Sequence, residues 1–137
     1  MDGLRAEWRL PPRLCRPVPD RVWAVADAGL VVNPDGARNQ LEGGIVQAVS
    51  WTLKEQVRLD GQGIASLDWD SYPILRFSEV PDMQVEFVEA NGNPSIGVGE
   101  CTVGPTAAAI GNAVNHALGV RIHDMPLTRE RIMKALL

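Results

Sequence analysis

The sequence predicts an α+β domain in which a mixed sheet packs against two main helices and a short C-terminal helix. Strand-like and helix-like segments alternate along the chain. One segment repeats its apolar residues at helical spacing, and another alternates apolar with polar residues. The 137 residues amount to about one domain, and 45% of them are hydrophobic. That content is enough for one modest core.

The first 21 residues differ in composition from the rest of the chain. They contain five Arg and four of the ten Pro and carry a formal charge of +2, whereas residues 22–137 carry −6. Proline removes backbone hydrogen-bond donors and disrupts regular pairing. We therefore expect an irregular arm over residues 1–21 and a folded body over residues 22–137.

The first part of the body predicts a strand followed by a long helix. Residues 22–32 are rich in Val and Ala and stop at Asn33-Pro34-Asp35-Gly36, as a strand does where it runs into a turn or a helix start. Apolar residues then recur every four positions, which is typical of an amphipathic helix that ends before Asp60-Gly61. These residues are Leu41, Ile45, Val49, Leu53 and Val57.

Two adjacent glycines, Gly43 and Gly44, interrupt this helical segment. Each one costs about 1 kcal/mol relative to Ala in a helix interior. Their presence indicates that another backbone or a ligand approaches the helix closely there. Close packing of the helix on a sheet is the alternative explanation.

The second part predicts a strand and two further helices. Residues 63–77 are typical of an extended surface segment, and residues 83–88 of a half-buried strand. A helix should open at Gly104-Pro105, with Pro at the first helical position, and Gly119 should cap its end. Its predicted apolar face is Ala107, Ile110, Val114, Ala117 and Leu118. A short strand over residues 120–122 and a last helix from Thr128, with Ile132, Met133 and Leu136 facing inward, complete the prediction.

Composition and charge exclude several classes of function. A net charge of −4 and a pI of about 5.1 argue against nucleic-acid binding, which needs a basic surface. No apolar run approaches the ~18 residues of a membrane span, and no export signal is evident. A cytoplasmic location is the default expectation, and a periplasmic one is left open for an assembled complex. Cys15 and Cys101 match no metal-ligand spacing and are expected to be reduced thiols, and with only two His no protein-ligated metal site is expected.

The segment 97–106 is the first candidate for chemistry. Gly97, Gly99 and Gly104 surround a single carboxylate, Glu100, and the helix that follows presents free N–H groups and the positive end of its dipole. A carboxylate on a tight loop beside an anion-binding helix end suits a general base. Two alternatives stay open: a solvated surface charge, and a small-anion or nucleotide site at the helix start.

The segment 39–44 is the second candidate. The side-chain amides of Asn39 and Gln40 can donate and accept hydrogen bonds. The glycine pair that follows them leaves room for a flat or phosphorylated group. A polar helix face with surface amides is the alternative.

Two blocks of sequence resemble the C-terminal end of the molybdopterin-binding large subunit of the xanthine dehydrogenase and aldehyde oxidase family. They are residues 30–47, which contain Gln40-Leu41-Glu42-Gly43-Gly44, and residues 97–110, which begin Gly97-Val98-Gly99-Glu100. Residues 68–77 and 121–128 also resemble bacterial members of the isoquinoline 1-oxidoreductase and nicotinate dehydrogenase types. Two separate blocks in the right order are more specific than either block alone.

The resemblance implies the C-terminal part of a molybdenum-cofactor-binding domain, with a molybdenum–molybdopterin cofactor. Glu100 matches the family's general base, and Gln40 matches a glutamine that lies along the pterin. The remaining expected cofactor contacts are Gly43 and Gly44, through backbone access, and Gly99 and Thr102 on either side of Glu100. Whether the pterin carries a cytosine nucleotide is left open.

The family's large subunits run to many hundreds of residues, so the resemblance implies part of a catalyst. The expected function is to supply the base and part of the cofactor pocket of an oxidoreductase that hydroxylates aldehydes or N-heteroaromatics with water as the oxygen source. Its partners would be the remainder of the subunit and an iron–sulfur subunit, since two Cys cannot ligate a cluster. The alternative is a catalytically inactive remnant that acts as an oligomeric binding or assembly module, because exposed apolar surface favours homo-oligomerisation.

Overall fold

The computed structural model describes residues 5–7, 18–89 and 91–137, with side chains from residue 18 onward. The strands are β1 (Arg5–Glu7), β2 (Arg21–Ala26), β3 (Leu59–Asp60), β4 (Gly63–Ile64) and β5 (Asp82–Phe87). The helices are α1 (Pro34–Leu53), α2 (Val103–Leu118) and α3 (Arg129–Ala135), and a 3₁₀ turn covers Phe77–Glu79. The predicted arrangement, a mixed sheet with two main helices and a short C-terminal helix, is confirmed.

The main sheet has the strand order β1-β2-β5. Strand β2 runs antiparallel to β1 and parallel to β5, with Val22 opposite Met83 and Ala24 opposite Val85. Helix α1 lies between β2 and β5 in the chain and makes the crossover that a parallel pair requires. Val22, Ala24 and Val85 are buried on the face that packs in one cluster with α1 and α2.

The predicted strand over residues 22–32 is too long at its C-terminal end. Strand β2 stops at Ala26, because the Asp27 carboxylate accepts the backbone N–H of Gly29 at 3.0 Å and Gly29 takes a φ of +58°. This local turn ends the strand even though apolar residues continue.

The predicted arm is not irregular throughout. Residues Arg5–Glu7 form strand β1 and pair with Arg21–Trp23 of β2. Most of the prolines of the arm, and Cys15, lie outside the described residues.

Helix α1 begins earlier and ends earlier than its apolar period indicates. The Asn33 side chain accepts the N–H of Gly36, and Pro34 occupies the first turn. At the other end the N–H groups of Lys54 and Glu55 both bond the Ser50 carbonyl, and the helix closes at Leu53. Val57 is therefore outside the helix and 57% exposed, whereas the rest of the predicted stripe is buried.

Helix α2 begins at Val103, so Pro105 is its third residue rather than its first. Gly119 caps it with a φ of +71°, as predicted. Ile110 and Val114 are buried as predicted, but Ala117 is exposed.

The C-terminal prediction is partly wrong. The described residues show no strand over 120–122; Ile122 instead packs against the core cluster, while Arg121 is exposed. Helix α3 follows Thr128, whose hydroxyl accepts the N–H of Arg131. Ile132 is buried, whereas Met133 and Leu136 are 41% and 42% exposed and do not face inward.

Residues 55–78 form a surface segment between α1 and β5, which we call the excursion. The predicted extended segment within it contains only the two-residue strand β4, paired with β3 in a small hairpin. None of the helices in the described part of the chain is long and apolar enough to cross a membrane.

Candidate functional site

The two sequence blocks meet where α1 lies beside α2. The Gln40 side-chain Nε2 donates to the Gly99 carbonyl oxygen at 2.7 Å, across 59 positions of sequence. Close by, the Thr102 hydroxyl donates to the Leu41 carbonyl oxygen at 3.0 Å. These two bonds tie the loop that carries Glu100 to the first turns of α1.

Gly44 lies in the contact between the helices. A Cβ placed on it would stand 2.4 Å from the Thr102 Oγ1 atom, closer than real atoms approach. The packing explanation is therefore correct for Gly44, although its neighbour is α2 rather than a sheet. The backbone of Gly44 is buried against Thr102 and is not the open access for a ligand that we expected.

Thr102 is also buried, with 3% of its surface exposed. Its hydroxyl is engaged with Leu41, so this side chain holds α1 and α2 together instead of reaching an outer surface. Thr102 is among the cofactor contacts that the family resemblance implies.

Four of the predicted site residues lie on an open surface: Gln40, Gly43, Gly99 and Glu100 are all exposed. Gln40 and Gly43 are three residues apart on α1 and so share a side of the helix. A Cβ added at Gly43 or Gly99 would meet nothing within 4 Å. The hydrogen bond from Gln40 to Gly99 brings this side of α1 next to the loop of Glu100.

Glu100 stands just before the N-terminus of α2. Its own carbonyl accepts the Val103 N–H at 3.2 Å, and the Thr102 side chain does not cap the helix. The positive end of the helix dipole favours a negative side chain within the first turn. The next residue, Cys101, is a free and exposed thiol.

A buried hydroxyl lies one turn into α2. Thr106 is 1% exposed, and its Oγ1 atom has no hydrogen-bond partner among the described residues. It shares the buried face of the helix with Ile110 and Val114. The sequence did not predict this buried hydroxyl, because a Thr at this position of a helix is not unusual.

Sequence reasoning also missed a groove of about 260 Å³ that borders Gln40. Its walls come from the loop between β2 and α1 and from residues 95–98. Leu30, Val32 and Ile96 contribute exposed apolar side chains. Leu30 and Val32 belong to the first motif block and Ile96 directly precedes the second, and that position was the only available signal.

A larger cleft of about 730 Å³ lies elsewhere, between the end of α1, the excursion and the start of α3. It contains none of the predicted site residues. We place the candidate site at the two motif blocks, because they contain the predicted catalytic and cofactor-binding residues and the larger cleft does not.

The groups with displaced pKa values also lie away from the motif blocks. The Tyr72 hydroxyl donates to the Glu55 carboxylate at 2.8 Å, and this bond raises the pKa of Tyr72 above its ordinary value of 10.0. Hydrogen bonds from Ser71 lower the pKa of Asp68. Both pairs belong to the excursion and its attachment to α1.

Comparison with known proteins identifies the family. A family model described as a molybdopterin cofactor-binding domain matches residues 13–81. This range begins inside the predicted arm and contains Gln40, Gly43 and Gly44, but it ends before Glu100. The chain is 44% identical over 110 residues to a nicotinate dehydrogenase subunit of Pseudomonas putida, covering 80% of this chain and 9% of that protein. It is 35% identical over 107 residues to the beta subunit of isoquinoline 1-oxidoreductase from Brevundimonas diminuta, covering 78% and 14%.

Solved structures give the same result. Quinoline 2-oxidoreductase from Pseudomonas putida superposes with a TM-score of 0.75 at 30% identity, covering 87% of this chain and 16% of that one. Aldehyde oxidoreductase from Desulfovibrio gigas superposes with a TM-score of 0.74 at 26% identity, covering 87% and 13%. The chain thus spans less than a fifth of the length of these relatives. It belongs to the molybdopterin cofactor-binding domain family and corresponds to a fragment of the molybdenum-binding subunits of the xanthine dehydrogenase and aldehyde oxidoreductase group.

Proposed function

We propose that this chain supplies the general base and one wall of the cofactor pocket of a molybdenum hydroxylase. The reaction is the hydroxylation of an N-heteroaromatic compound or an aldehyde with water as the oxygen source. The observation that carries the proposal is the 2.7 Å hydrogen bond from Gln40 to Gly99. It joins the side-chain amide that we assign to the cofactor to the loop that carries the carboxylate of Glu100. The names of the nicotinate and isoquinoline relatives favour an N-heteroaromatic substrate.

The open surface fits a molybdenum–molybdopterin cofactor. A pterin is flat and polar, and it needs hydrogen-bonding groups beside free space. Gln40 offers an amide whose Oε1 can still accept a bond, while Gly43 and Gly99 leave open space beside their α-carbons. The described residues contain no group of three or more His, Cys, Asp or Glu that could hold a metal ion, so the metal would be held by the ligands of the cofactor. When bound, this group supplies the oxidising centre that takes up the electrons of the substrate.

Glu100 is the residue that would take up the proton. Glu100 is exposed, and Gln40 holds the carbonyl of the residue before it. A carboxylate within reach of the reacting group can accept its proton. A positioned general base contributes about 10²–10⁴-fold to a rate.

Two partners complete the catalyst. The chain spans 9% and 14% of the two relatives described above, so the rest of a molybdenum-binding subunit is needed for the remaining pocket. Electrons must then leave the centre, and two Cys cannot ligate a cluster. We assign their transfer to an iron–sulfur subunit, in an assembly located in the cytoplasm.

The experiment places this chain in a complete subunit. The matched segment of the Pseudomonas nicotinate dehydrogenase subunit is replaced with the corresponding residues of this chain, and molybdenum content, pterin content and hydroxylation are measured. The mass of the released cofactor tells whether it carries a cytosine nucleotide.

We expect Glu100→Gln to keep the molybdenum and to lose about 10²–10⁴-fold in turnover. Gln40→Ala should lower molybdenum and pterin content, because it removes the amide that faces the cofactor. Glu86→Gln, a change of an exposed carboxylate on β5 outside both motif blocks, is the matched control and should keep both cofactor content and turnover. Normal turnover in Glu100→Gln would show that the base assignment is wrong.

A further inference from the structure

The excursion, residues 55–78, exposes an unusual number of large apolar side chains. Seven of them are between 44% and 98% exposed, and Phe77, Leu67, Trp69 and Leu59 are the most open. The full set is Val57, Leu59, Ile64, Leu67, Trp69, Ile74 and Phe77. Isolated surface apolar residues are common in soluble proteins, but a group of seven within 21 positions of sequence is not.

Polar contacts, rather than burial of these side chains, hold the excursion on the body. The Tyr72 hydroxyl donates to Glu55, and the Leu75 N–H donates to the Ser50 hydroxyl at 2.9 Å. At the base of the excursion Lys54 pairs with Glu79, and both side chains are largely buried. The excursion is therefore attached through these polar groups and through Leu75, which packs against the core, while the seven side chains named above stay exposed.

The exposed apolar residues belong to one connected structure. Leu59 lies opposite Ile64 in the β3–β4 hairpin. Arg58, next to Leu59, donates from its guanidinium to the Ser71 carbonyl at 2.9 Å, which joins the hairpin to the turn that contains Leu67 and Trp69.

The excursion also forms one wall of the 730 Å³ cleft. Trp69 and Ile74 line it opposite Leu53 of α1. Arg76, Asp70, Arg129 and Glu130 also line the cleft, so it combines apolar side chains with charges of both signs. An apolar centre with polar and charged groups around it is the usual composition of a protein–protein contact.

We infer that the outer surface of the excursion is the docking surface for the rest of the molybdenum-binding subunit. This inference rests on the proposed function and deepens it by locating the contact. The family match, residues 13–81, includes the whole excursion, so this surface belongs to the family domain. More than four fifths of each relative described above has no counterpart in this chain, and that length supplies the covering surface. The partner is an apolar protein surface bordered by groups of both charges.

The test compares the same substitutions in two settings. Leu67→Asp with Phe77→Asp changes two of the most exposed apolar residues, and Val88→Asp, 45% exposed and outside the excursion, is the matched control. In the first setting the isolated chain is unfolded by heat, and its oligomeric state is measured by sedimentation. In the second, the chain is co-expressed with a form of the Pseudomonas nicotinate dehydrogenase subunit that lacks its matched segment, and the dissociation constant is measured without cofactor.

We expect the double variant to leave the melting temperature of the isolated chain unchanged, because both side chains are already exposed. Its affinity for the partner should fall about tenfold or more, as for buried positions at the centre of an interface. Val88→Asp should bind normally. Unchanged affinity of the double variant, or an equal loss in Val88→Asp, would overturn the inference.

A single-chain version covers the case in which the two pieces do not assemble. In the fusion described under Proposed function, the double variant should lower the soluble yield while Val88→Asp does not, and equal yields would overturn the inference. Self-association that the double variant abolishes, without any effect on the partner, would also overturn it and would make a second copy the occupant. A chain that docks normally but does not support molybdenum loading would contradict the proposed function alone.

Discussion

The paired glycines of α1 occupy neighbouring positions with opposite surroundings. A Cβ at Gly43 would meet nothing within 4 Å, whereas a Cβ at Gly44 would stand 2.4 Å from Thr102 Oγ1. Both residues lie in the middle of a 20-residue helix, so the gain in helix propensity on changing Gly to Ala is the same for both. The comparison of Gly43→Ala with Gly44→Ala therefore isolates the contact between α1 and α2.

The expected magnitudes follow from two opposing effects. Ala in place of Gly in a helix interior stabilises the folded state by about 0.5–1 kcal/mol, and Gly43→Ala should show this whole gain. Overpacking a close contact costs about 1–3 kcal/mol. Gly44→Ala should therefore be destabilising by about 0–2.5 kcal/mol. The two variants should differ by about 1–3 kcal/mol, with Gly43→Ala the more stable.

A third substitution tests the cause. Thr102→Ala removes the atom that Gly44→Ala would meet, and it also removes the bond to the Leu41 carbonyl, at a cost of about 1–3 kcal/mol. In the double variant the close contact is gone, so the two changes should cost less together than the sum of their separate effects. Neighbouring residues that share a contact show coupling of about 0.5–3 kcal/mol.

The assay is urea unfolding followed by circular dichroism. The free energies of unfolding are compared between variants that have the same m-value, the slope of that free energy against urea concentration. Equal stabilisation by Gly43→Ala and Gly44→Ala would refute the helix–helix contact. Strict additivity in the double variant would show that Thr102 is not the residue that Gly44 accommodates.

Three further predictions concern groups outside that contact. The single Tyr of the chain, Tyr72, has a raised pKa through its bond to Glu55, so the stability from this bond is present below pH 10.0 and is lost as the pH rises through the higher folded value. Glu55→Gln should return the pKa toward 10.0 in an ultraviolet titration, and an unchanged curve would contradict the assignment. Ile110→Ala should destabilise the fold by about 2–5 kcal/mol in urea unfolding, because Ile110 is fully buried in the core, and a loss below that of an exposed-site change would be inconsistent with this packing. Thr106→Val should raise stability by about 1 kcal/mol, because it removes a buried hydroxyl without a partner among the described residues, and a clear loss would show that the hydroxyl is bonded.

Local patterns predicted those features that local physics decides. The four-residue apolar period located α1, alternation located β5, and Gly119 and Thr128 mark the ends of helices because their backbone or side chains satisfy the terminal groups.

Other features depend on partners distant in sequence. Strand β1 forms because Arg5–Glu7 pair with β2. A segment of three residues is too short for its sequence pattern to predict this pairing. The segment after Gly119 has the composition of a strand, but among the described residues it pairs with neither edge strand of the sheet, β1 or β5.

The candidate site shows the same division. The motif blocks predicted the site residues, whose roles stay a prediction, and the hydrogen bond from Gln40 to Gly99 shows that the two blocks lie together. The different positions of Gly43 and Gly44 could not be predicted, because they depend on which side of α1 faces α2. Successive residues of a helix are rotated by about 100° about its axis. Gly43 therefore faces solvent, while Gly44 faces α2.

The ion pair of Lys54 with Glu79 has a consequence for how this domain can vary. It joins the residues on either side of the excursion, and the pairing of β5 with β2 fixes where β5 begins. The entropy of closing such a loop grows only with the logarithm of its length, and a doubling costs about 0.6 kcal/mol. The excursion, and with it the docking surface, can therefore be lengthened at small cost in stability. The loop that carries Glu100 would keep its position beside α1.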